Sequence, residues 1–182
     1  MSVHDTPAQV SLLDGSSAKY CADANFFYEF WLPDRKFRKD IYDKLWKHMV
    51  LQISGRVITS TEEVYRELKE SNDPKFQKWL EAHKGYLYVE DDITVIKLAT
   101  EILNKHPEIL FQKGKKNGAD AFLVATAKVY GLAVISEEIR EPEANLRNGA
   151  CVKIPNLCDE QNVKCYSILD YCAKEGIKLG PT

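Results

Sequence analysis

Five carboxylates stand beside predicted strands, where they could do chemistry together. They are Asp23 at the end of the first predicted strand, Glu67 in the helix after the second, Asp120 at the start of a later helix, and Glu137 with Glu138 after the apolar run 132–136. Sites of open parallel sheets lie beyond the carboxyl ends of the strands, and carboxylates gathered there repel one another unless a cation neutralises them. The pattern therefore predicts a site for Mg²⁺ or Mn²⁺, cations that prefer oxygen ligands and engage phosphate groups.

Most of these carboxylates also have an ordinary structural explanation. Asp is common as a helix N-cap, which would account for Asp120. The two glutamates after the apolar run would be solvated loop charges, and Glu67 a surface residue paired with Arg66 or Lys69, although neither lies at the favoured helical spacing. Asp23 is harder to explain in this way, because it ends a predicted central strand and an unpaired buried charge is costly.

The elements that must position these side chains alternate between strands and helices. Strands are predicted at 20–23, 56–59, 132–136 and 163–166, with a weaker extended segment at 86–89. Helices are predicted at 26–31, 41–52, 60–68, 73–80, 93–103, 120–130, 155–161 and 167–175. The continuous apolar run at 132–136 is typical of a strand buried on both faces. This order predicts a three-layer α/β/α sandwich with a mainly parallel central sheet.

Capping signals mark several helix ends. Ser60 and Glu63 have the S-x-x-E spacing of a capping box, and Asp73 before Pro74 is a typical helix start. Gly131 is the predicted C-cap of the helix at 120–130.

Composition limits the class of protein. The chain has 182 residues, 45% of them hydrophobic and 29% charged, and its net charge of −2 excludes a globally basic nucleic-acid binder. Residues 1–18 are predicted to form a flexible tail and 19–180 a single domain. The sequence has neither a run long enough to span a membrane nor a signal-peptide pattern, and its five cysteines contain no C-x-x-C motif. We therefore expect a cytoplasmic protein with reduced thiols.

Four sequence blocks together resemble the PIN-domain nucleases, the fold of many toxins of toxin-antitoxin pairs. The blocks are YCADANFF, STEEVYREL, ADAFLVATAKVYGLAVISEE and KIPNLCDEQNVKCYSILDY, and they span residues 20–171. The first block resembles the strand-Asp-x-Asn start of the family and the second its Ser/Thr…Glu-Leu helix. The third resembles its Ala-Asp helix with the apolar strand and acidic end that follow. The last block is similar to a PIN subfamily known only as a domain of unknown function.

The resemblance implies a set of site residues and their roles. The acids of the family correspond to Asp23, Glu67, Asp120 and Glu138, with Asn25 and Ser136 as supporting polar groups. It implies metal-assisted hydrolysis of RNA phosphodiesters, in which the two aspartates and Glu138 hold Mg²⁺ or Mn²⁺ and Glu67 orients a water. The sequence departs from the family at Glu138, because the fourth acid of most PIN domains is Asp.

Two basic clusters are the predicted contacts to the RNA substrate. One contains Arg35 and Lys36, followed by Arg38 and Lys39, and the other contains Lys113, Lys115 and Lys116, just before Asp120. Phosphate binding by such groups is electrostatic and sensitive to salt. The aromatic run at 26–31 is predicted to pack in the core, with base stacking as the alternative. PIN toxins bind an antitoxin protein and are commonly homodimers, so the resemblance implies both partners as well as RNA.

Two other classes of function stay open. One is a catalytically silent PIN-fold module that binds proteins. The other is a different Mg²⁺-dependent α/β phosphohydrolase, such as a haloacid-dehalogenase-like phosphatase, although that family has D-x-D after its first strand and this chain has Asn25 at the third position. A zinc hydrolase is disfavoured because the histidines show no H-E-x-x-H spacing.

Overall fold

The computed structural model describes residues 18–90, 92–111 and 118–178. Its strands are β1 (Tyr20–Ala22), β2 (Ile58–Thr59), β3 (Ala133–Ile135) and β4 (Cys165–Tyr166). Its helices are α1 (Ala24–Trp31), α2 (Asp43–Ser54), α3 (Glu62–Lys69), α4 (Pro74–Leu87), α5 (Ile93–Lys105), α6 (Ala119–Tyr130), α7 (Glu143–Arg147), α8 (Ile154–Glu160) and α9 (Ile168–Lys174), with a 3-10 turn at Pro107–Phe111.

The sheet is parallel throughout the described residues, in the strand order β2-β1-β3-β4. Tyr20 pairs with both Ile58 and Ala133, and Val134 pairs with Cys165. Because the strands are parallel, their ends meet at one edge, which we call the carboxyl edge. The residues that follow the four strands there are Asp23, Ser60, Ser136 and Ser167. The opposite edge, where the strands begin, is called the amino edge.

Helices cover both faces of this sheet. The ring of Tyr20 packs edge-on against Tyr171 of α9, with 4.9 Å between the ring centroids. The hydroxyl of Tyr171 lies 3.4 Å from Nε2 of His48 in α2, so α2 and α9 share one face. Successive strand residues point to opposite faces, so Cys21 points to the other layer, where α6 packs on β1, β3 and α8. The predicted three-layer α/β/α sandwich is confirmed.

The helix α6 is buried around most of its circumference, as its sequence predicts. Its fully buried residues include Ala121, Leu123, Val124, Ala125 and Ala127. The small alanine side chains allow the helix axis to lie close to the sheet. Gly131 ends the helix in the left-handed conformation, with φ 67°, and β3 begins two residues later. Since α6 leads back into a parallel strand, its first turn lies at the carboxyl edge.

The helix caps agree with the sequence at some ends and differ at others. The side chain of Asp73 accepts two backbone hydrogen bonds from the first turn of α4, which confirms the predicted cap. The capping box predicted at Ser60 is wrong, because Thr61 is the N-cap of α3. The hydroxyl of Ser60 instead donates to the carbonyl of Ala22 at 2.6 Å and ties the end of β2 to the end of β1.

Two element boundaries also differ from the sequence prediction. The extended segment predicted at 86–89 is largely wrong, because α4 continues to Leu87, whose side chain is buried. Only Val89 forms a bridge, to Thr61. The helix predicted to begin at Ile41 begins at Asp43, and Ile41 is 65% exposed.

The predicted tail at 1–18 lies outside the described residues, except for its last residue. In the part of the chain that is described, no helix has both the length and the apolar character needed to cross a membrane.

Candidate active site at the carboxyl edge of the sheet

Asp23 directly follows β1, and the sheet fixes its position. Its backbone N–H donates to the carbonyl of Ile135 at 3.0 Å, which extends the β1–β3 ladder by one residue. Only 2% of Asp23 is exposed. Its Oδ2 accepts hydrogen bonds from Ser136 Oγ at 2.8 Å and from Asn25 Nδ2 at 3.1 Å. The structure thus brings Asp23 together with Asn25 and Ser136, the two predicted supporting groups.

Ser136 connects the ends of β1 and β3. Its hydroxyl donates to Asp23 and accepts a hydrogen bond from the backbone N–H of Glu138 at 3.1 Å. The same oxygen therefore orients the Asp23 carboxylate and fixes the turn that follows β3. The side chain is 3% exposed, so water cannot readily replace either bond.

The two glutamates after β3 each bind the start of a helix. Glu138 Oε2 accepts from the backbone N–H of Ile154 in α8 at 3.0 Å, and Glu137 Oε1 accepts from that of Ile168 in α9 at 2.6 Å. The first N–H groups of a helix lack intrahelical partners and favour a negative charge. Neither glutamate is therefore a simple solvated loop charge, and both link β3 to the covering layers.

Asp120 is the second residue of α6 and is 3% exposed. The N-cap of the helix is Gly118, so the explanation of Asp120 as an N-cap is wrong. Gly118 has φ +67°, and a Cβ at this position would lie 3.2 Å from the methyl groups of Leu103. A larger residue would thus disturb the start of α6, which holds Asp120 at the carboxyl edge on the layer opposite α9.

Glu67 lies half-buried in α3, a helix that packs against both α1 and α6. Its suggested surface partners are engaged elsewhere. Arg66 Nη2 lies 2.8 Å from Glu62, and the ammonium group of Lys69 contacts Glu81. The explanation of Glu67 as one half of a surface ion pair with either residue is therefore not supported.

Glu63 is a buried acid that the sequence interpretation did not include in the site. It is 7% exposed and lies four residues before Glu67, so both occupy one face of α3. Its Oε1 is 3.6 Å from Arg66 Nη1. The sequence signal for Glu63 is its spacing of four residues from Glu67, but the sequence analysis assigns Glu63 to the capping box with Ser60.

The thiol of Cys165 in β4 lies in the electrostatic field of the same edge. A hydrogen bond with Cys158 lowers the pKa of the Cys165 thiol, whereas burial and the charges of Asp23 and Glu138 oppose this effect. The same thiol contact, and then burial, raise the pKa of Cys158. The charges of Asp23, after β1, and Glu138, after β3, therefore both raise the pKa of the Cys165 thiol.

The donors at the carboxyl edge have the chemistry of a site for a hard cation. Buried oxygens come from Asp23, Asp120 and Ser136. Among the described residues, no three Asp, Glu, His or Cys side chains converge closely enough to enclose an ion. Mg²⁺ usually keeps several waters and binds through one or two carboxylates together with substrate phosphate, so an all-protein cage is not required. The buried carboxylates of Asp23 and Asp120 have the donor chemistry that such an ion takes.

The predicted substrate-binding residues are not all gathered at this edge. Arg35 pairs with Glu29 at 3.5 Å, and Lys36 Nζ lies 5.0 Å from the centre of the Phe37 ring. These residues follow α1, whose eight residues carry the chain about 12 Å away from Asp23. The other cluster, Lys113, Lys115 and Lys116, lies outside the described residues.

The aromatic run after Asp23 packs largely inside the protein, as predicted. Phe26, Phe27 and Phe30 are at most 1% exposed, whereas Tyr28 and Trp31 are half-buried. The indole Nε1 of Trp31 donates to Asp73 Oδ2 at 2.8 Å, so this ring also anchors α1 to the start of α4.

Comparison with known proteins places this arrangement in a family. Residues 20–179 match the sequence profile of a domain of unknown function, DUF4411. The chain belongs to the DUF4411 family. Two solved structures are similar to the DUF4411 chain. FitAcB from Neisseria gonorrhoeae has 14% sequence identity and a TM-score of 0.46, and the match covers 81% of this chain and 96% of that chain. DNA-bound VapBC from Salmonella typhimurium has 18% sequence identity and a TM-score of 0.46, and the match covers 82% of this chain and 98% of that chain. No curated protein sequence matches the DUF4411 chain.

Proposed function

We propose that this DUF4411 chain is a metal-dependent endoribonuclease that hydrolyses RNA phosphodiesters. The observation that carries the proposal is the burial of two aspartates, Asp23 and Asp120, at the carboxyl edge of a parallel sheet. Buried carboxylates are costly, and coordination of a metal is one of the few arrangements that offset the cost. The resemblance of the sequence to PIN-domain nucleases supports the same reaction.

In this proposal the chain's own residues hold the reacting groups in place. Asp23 and Asp120 would bind Mg²⁺ or Mn²⁺, and Glu138 would reach the same ion directly or through water. Such an ion, when bound, supplies positive charge to phosphate oxygens and favours deprotonation of an attacking water. Ser136 and Asn25 fix the orientation of the Asp23 carboxylate through their bonds to Oδ2. Glu67 would orient the water, and no nucleophilic side chain takes part.

The partners follow from the same proposal. Arg35, Lys36 and the lysines at 113, 115 and 116 would contact RNA phosphates outside the cleavage site. The PIN resemblance supports a role as the toxin of a toxin-antitoxin pair in the cytoplasm, with an antitoxin protein and a second copy of the chain as partners.

The proposal is tested by incubating the purified protein with an end-labelled RNA pool that contains structured and single-stranded segments. Cleavage is expected with Mg²⁺ or Mn²⁺ and not with EDTA, and it should be lost in Asp120→Asn. Asp34→Asn removes the same charge from an exposed residue after α1 and should cleave like the wild type. Cleavage that survives in Asp120→Asn, or is independent of metal, would show that this site does not catalyse it.

A further inference from the structure

A second polar site lies at the amino edge of the sheet, away from the candidate active site. It is a cavity of about 610 Å³ at the starts of β1, β3 and β4 and the ends of α6 and α9. This volume falls within the roughly 300–1,000 Å³ typical of small-ligand sites. None of the residues proposed for RNA hydrolysis lines it.

The cavity is surrounded by positive charge that comes from separate parts of the chain. Its lysines are Lys19, Lys128, Lys164 and Lys174. Its carboxylate is Glu175, which accepts a hydrogen bond from the hydroxyl of Tyr20. Burial, and then this hydrogen bond, raise the pKa of Tyr20, so the hydroxyl stays protonated and remains a donor to Glu175. We call the site the lysine cavity.

The four ammonium groups of the lysine cavity form no ion pairs within the described ranges of the chain. Other surface lysines do: Lys47 pairs with Asp43 at 2.7 Å, and Lys105 pairs with Glu160 at 2.6 Å. The cavity holds four lysines against one carboxylate, Glu175, which is hydrogen-bonded to Tyr20, so an anionic ligand would relieve the repulsion among the lysines.

Helix ends account for only part of this arrangement. Lys128 and Lys174 lie in the last turns of α6 and α9, where a positive charge favours the helix dipole. Lys19 and Lys164 are not at helix ends. Their backbone carbonyls accept hydrogen bonds from the N–H groups of Ala133 and Val134, so the two lysines flank the start of β3, about 10 Å apart.

The remaining lining suits the uncharged part of a nucleotide. Leu132 and Val163 provide apolar surface, and Tyr166 provides an aromatic ring with Lys174 Nζ 5.7 Å from its centre. Asn162 adds an amide that can donate and accept hydrogen bonds. Several point charges around a partly apolar cavity match a ligand that joins phosphate groups to a sugar and a base.

We propose that the lysine cavity binds the phosphate groups of a nucleotide, supplied either by a free nucleotide or by a nucleic-acid strand. This role goes beyond the proposed RNA hydrolysis and does not depend on it, because the lysines bind phosphate without a divalent metal. The lysines donate charge-assisted hydrogen bonds to phosphate oxygens, while the apolar wall contacts the sugar and base.

Isothermal titration calorimetry in metal-free buffer tests the proposal with three phosphate probes: tripolyphosphate, ATP and a short oligouridylate. The double variant Lys19→Gln/Lys164→Gln should weaken binding about tenfold, since each exposed charge contributes a modest amount. The control Lys78→Gln/Lys97→Gln makes the same charge change on exposed faces of α4 and α5 and should bind like the wild type. The substitutions leave the backbone carbonyls at 19 and 164 available to the N–H groups of Ala133 and Val134, so the fold should be retained. Circular dichroism checks this.

The probes separate the sources of phosphate. If tripolyphosphate and ATP bind and their affinity falls in the cavity variant, the ligand is a free nucleotide. If only oligouridylate binds and its affinity falls in the cavity variant, the ligand is a nucleic-acid strand. Unchanged affinity in the cavity variant, or no binding of any probe, overturns the proposal. So does equal affinity for a polyglutamate peptide, which would indicate an acidic protein segment. Because no metal is present, failure of RNA cleavage leaves these outcomes unaffected.

Discussion

The two edges of the sheet carry opposite charges, and these charges differ in how deeply they are buried. At the carboxyl edge Asp23 and Asp120 are buried, and hydrogen bonds from Ser136 and Asn25 hold Asp23 in place. At the amino edge the lysines are exposed, and they line a cavity. Fixed geometry suits transition-state chemistry, whereas exposed charges suit salt-sensitive binding of an anion. This difference in burial and charge is why we propose catalysis at the carboxyl edge and anion binding at the amino edge.

The largest effect is expected from Asp23→Asn. The asparagine keeps an oxygen acceptor for Ser136, so the fold should be retained, but the charge that holds the metal is lost. RNA cleavage should fall about 100-fold or more, because metal ligation contributes several kcal/mol to the transition state. Single-turnover rates with Mg²⁺ measure this loss, and a decrease of less than tenfold would remove Asp23 from the catalytic set.

Ser136→Ala should have the next largest effect. It removes the donor to Asp23 and the acceptor for the N–H of Glu138, so metal affinity should fall roughly 10- to 100-fold. Ser167→Ala is a matched control, since Ser167 follows β4 at the same edge but forms the capping box of α9. It should lower the free energy of unfolding by about 1 kcal/mol and leave metal affinity unchanged. Equal losses of metal affinity in both variants would indicate a general effect on the fold.

Glu138→Gln and Glu137→Gln form a matched pair that separates ligation from helix capping. Each amide oxygen can still accept the N–H at the start of α8 or α9, so the free energy of unfolding should change by about 1 kcal/mol or less in both. If Glu138 also reaches the metal, its variant alone should lose about tenfold in cleavage rate. Identical cleavage rates for the two variants would assign both glutamates to capping only.

The smallest effect on catalysis is expected from Lys19→Gln/Lys164→Gln. The strands separate the two edges by about 10 Å, comparable to the Debye length at physiological salt. The cleavage rate of a short RNA at saturation should therefore stay within about twofold of the wild type. A large decrease would contradict the separation of roles between the edges.

Much of the carboxyl edge could be predicted from local sequence. The apolar run before Ser136 and the burial cost of Asp23 both indicate a strand that ends at a site, because hydrophobic periodicity and charge are local signals. The role of Thr61 as the cap instead of Ser60 could not be predicted, since adjacent hydroxyl residues are equivalent until the sheet uses one of them. The bonds of Glu137 and Glu138 to helix starts likewise depend on where α8 and α9 pack.

The amino edge could not be predicted at all from local patterns. Lys19 and Lys164 directly precede β1 and β4, whereas Lys128 and Lys174 lie in the last turns of α6 and α9. They converge only because parallel strands begin at one edge and the helices that precede or follow them end there. Sequence spacing carries no signal for a cluster of this kind.

The most direct test of the account is a titration with Mn²⁺, followed by electron paramagnetic resonance of the unbound ion. The wild type and Lys19→Gln/Lys164→Gln should bind Mn²⁺ equally. Asp120→Asn should have an affinity for Mn²⁺ that is lower by at least about tenfold. This result would place the metal at the carboxyl edge, where the buried aspartates lie. Equal Mn²⁺ affinity in the wild type and in Asp120→Asn would contradict the account.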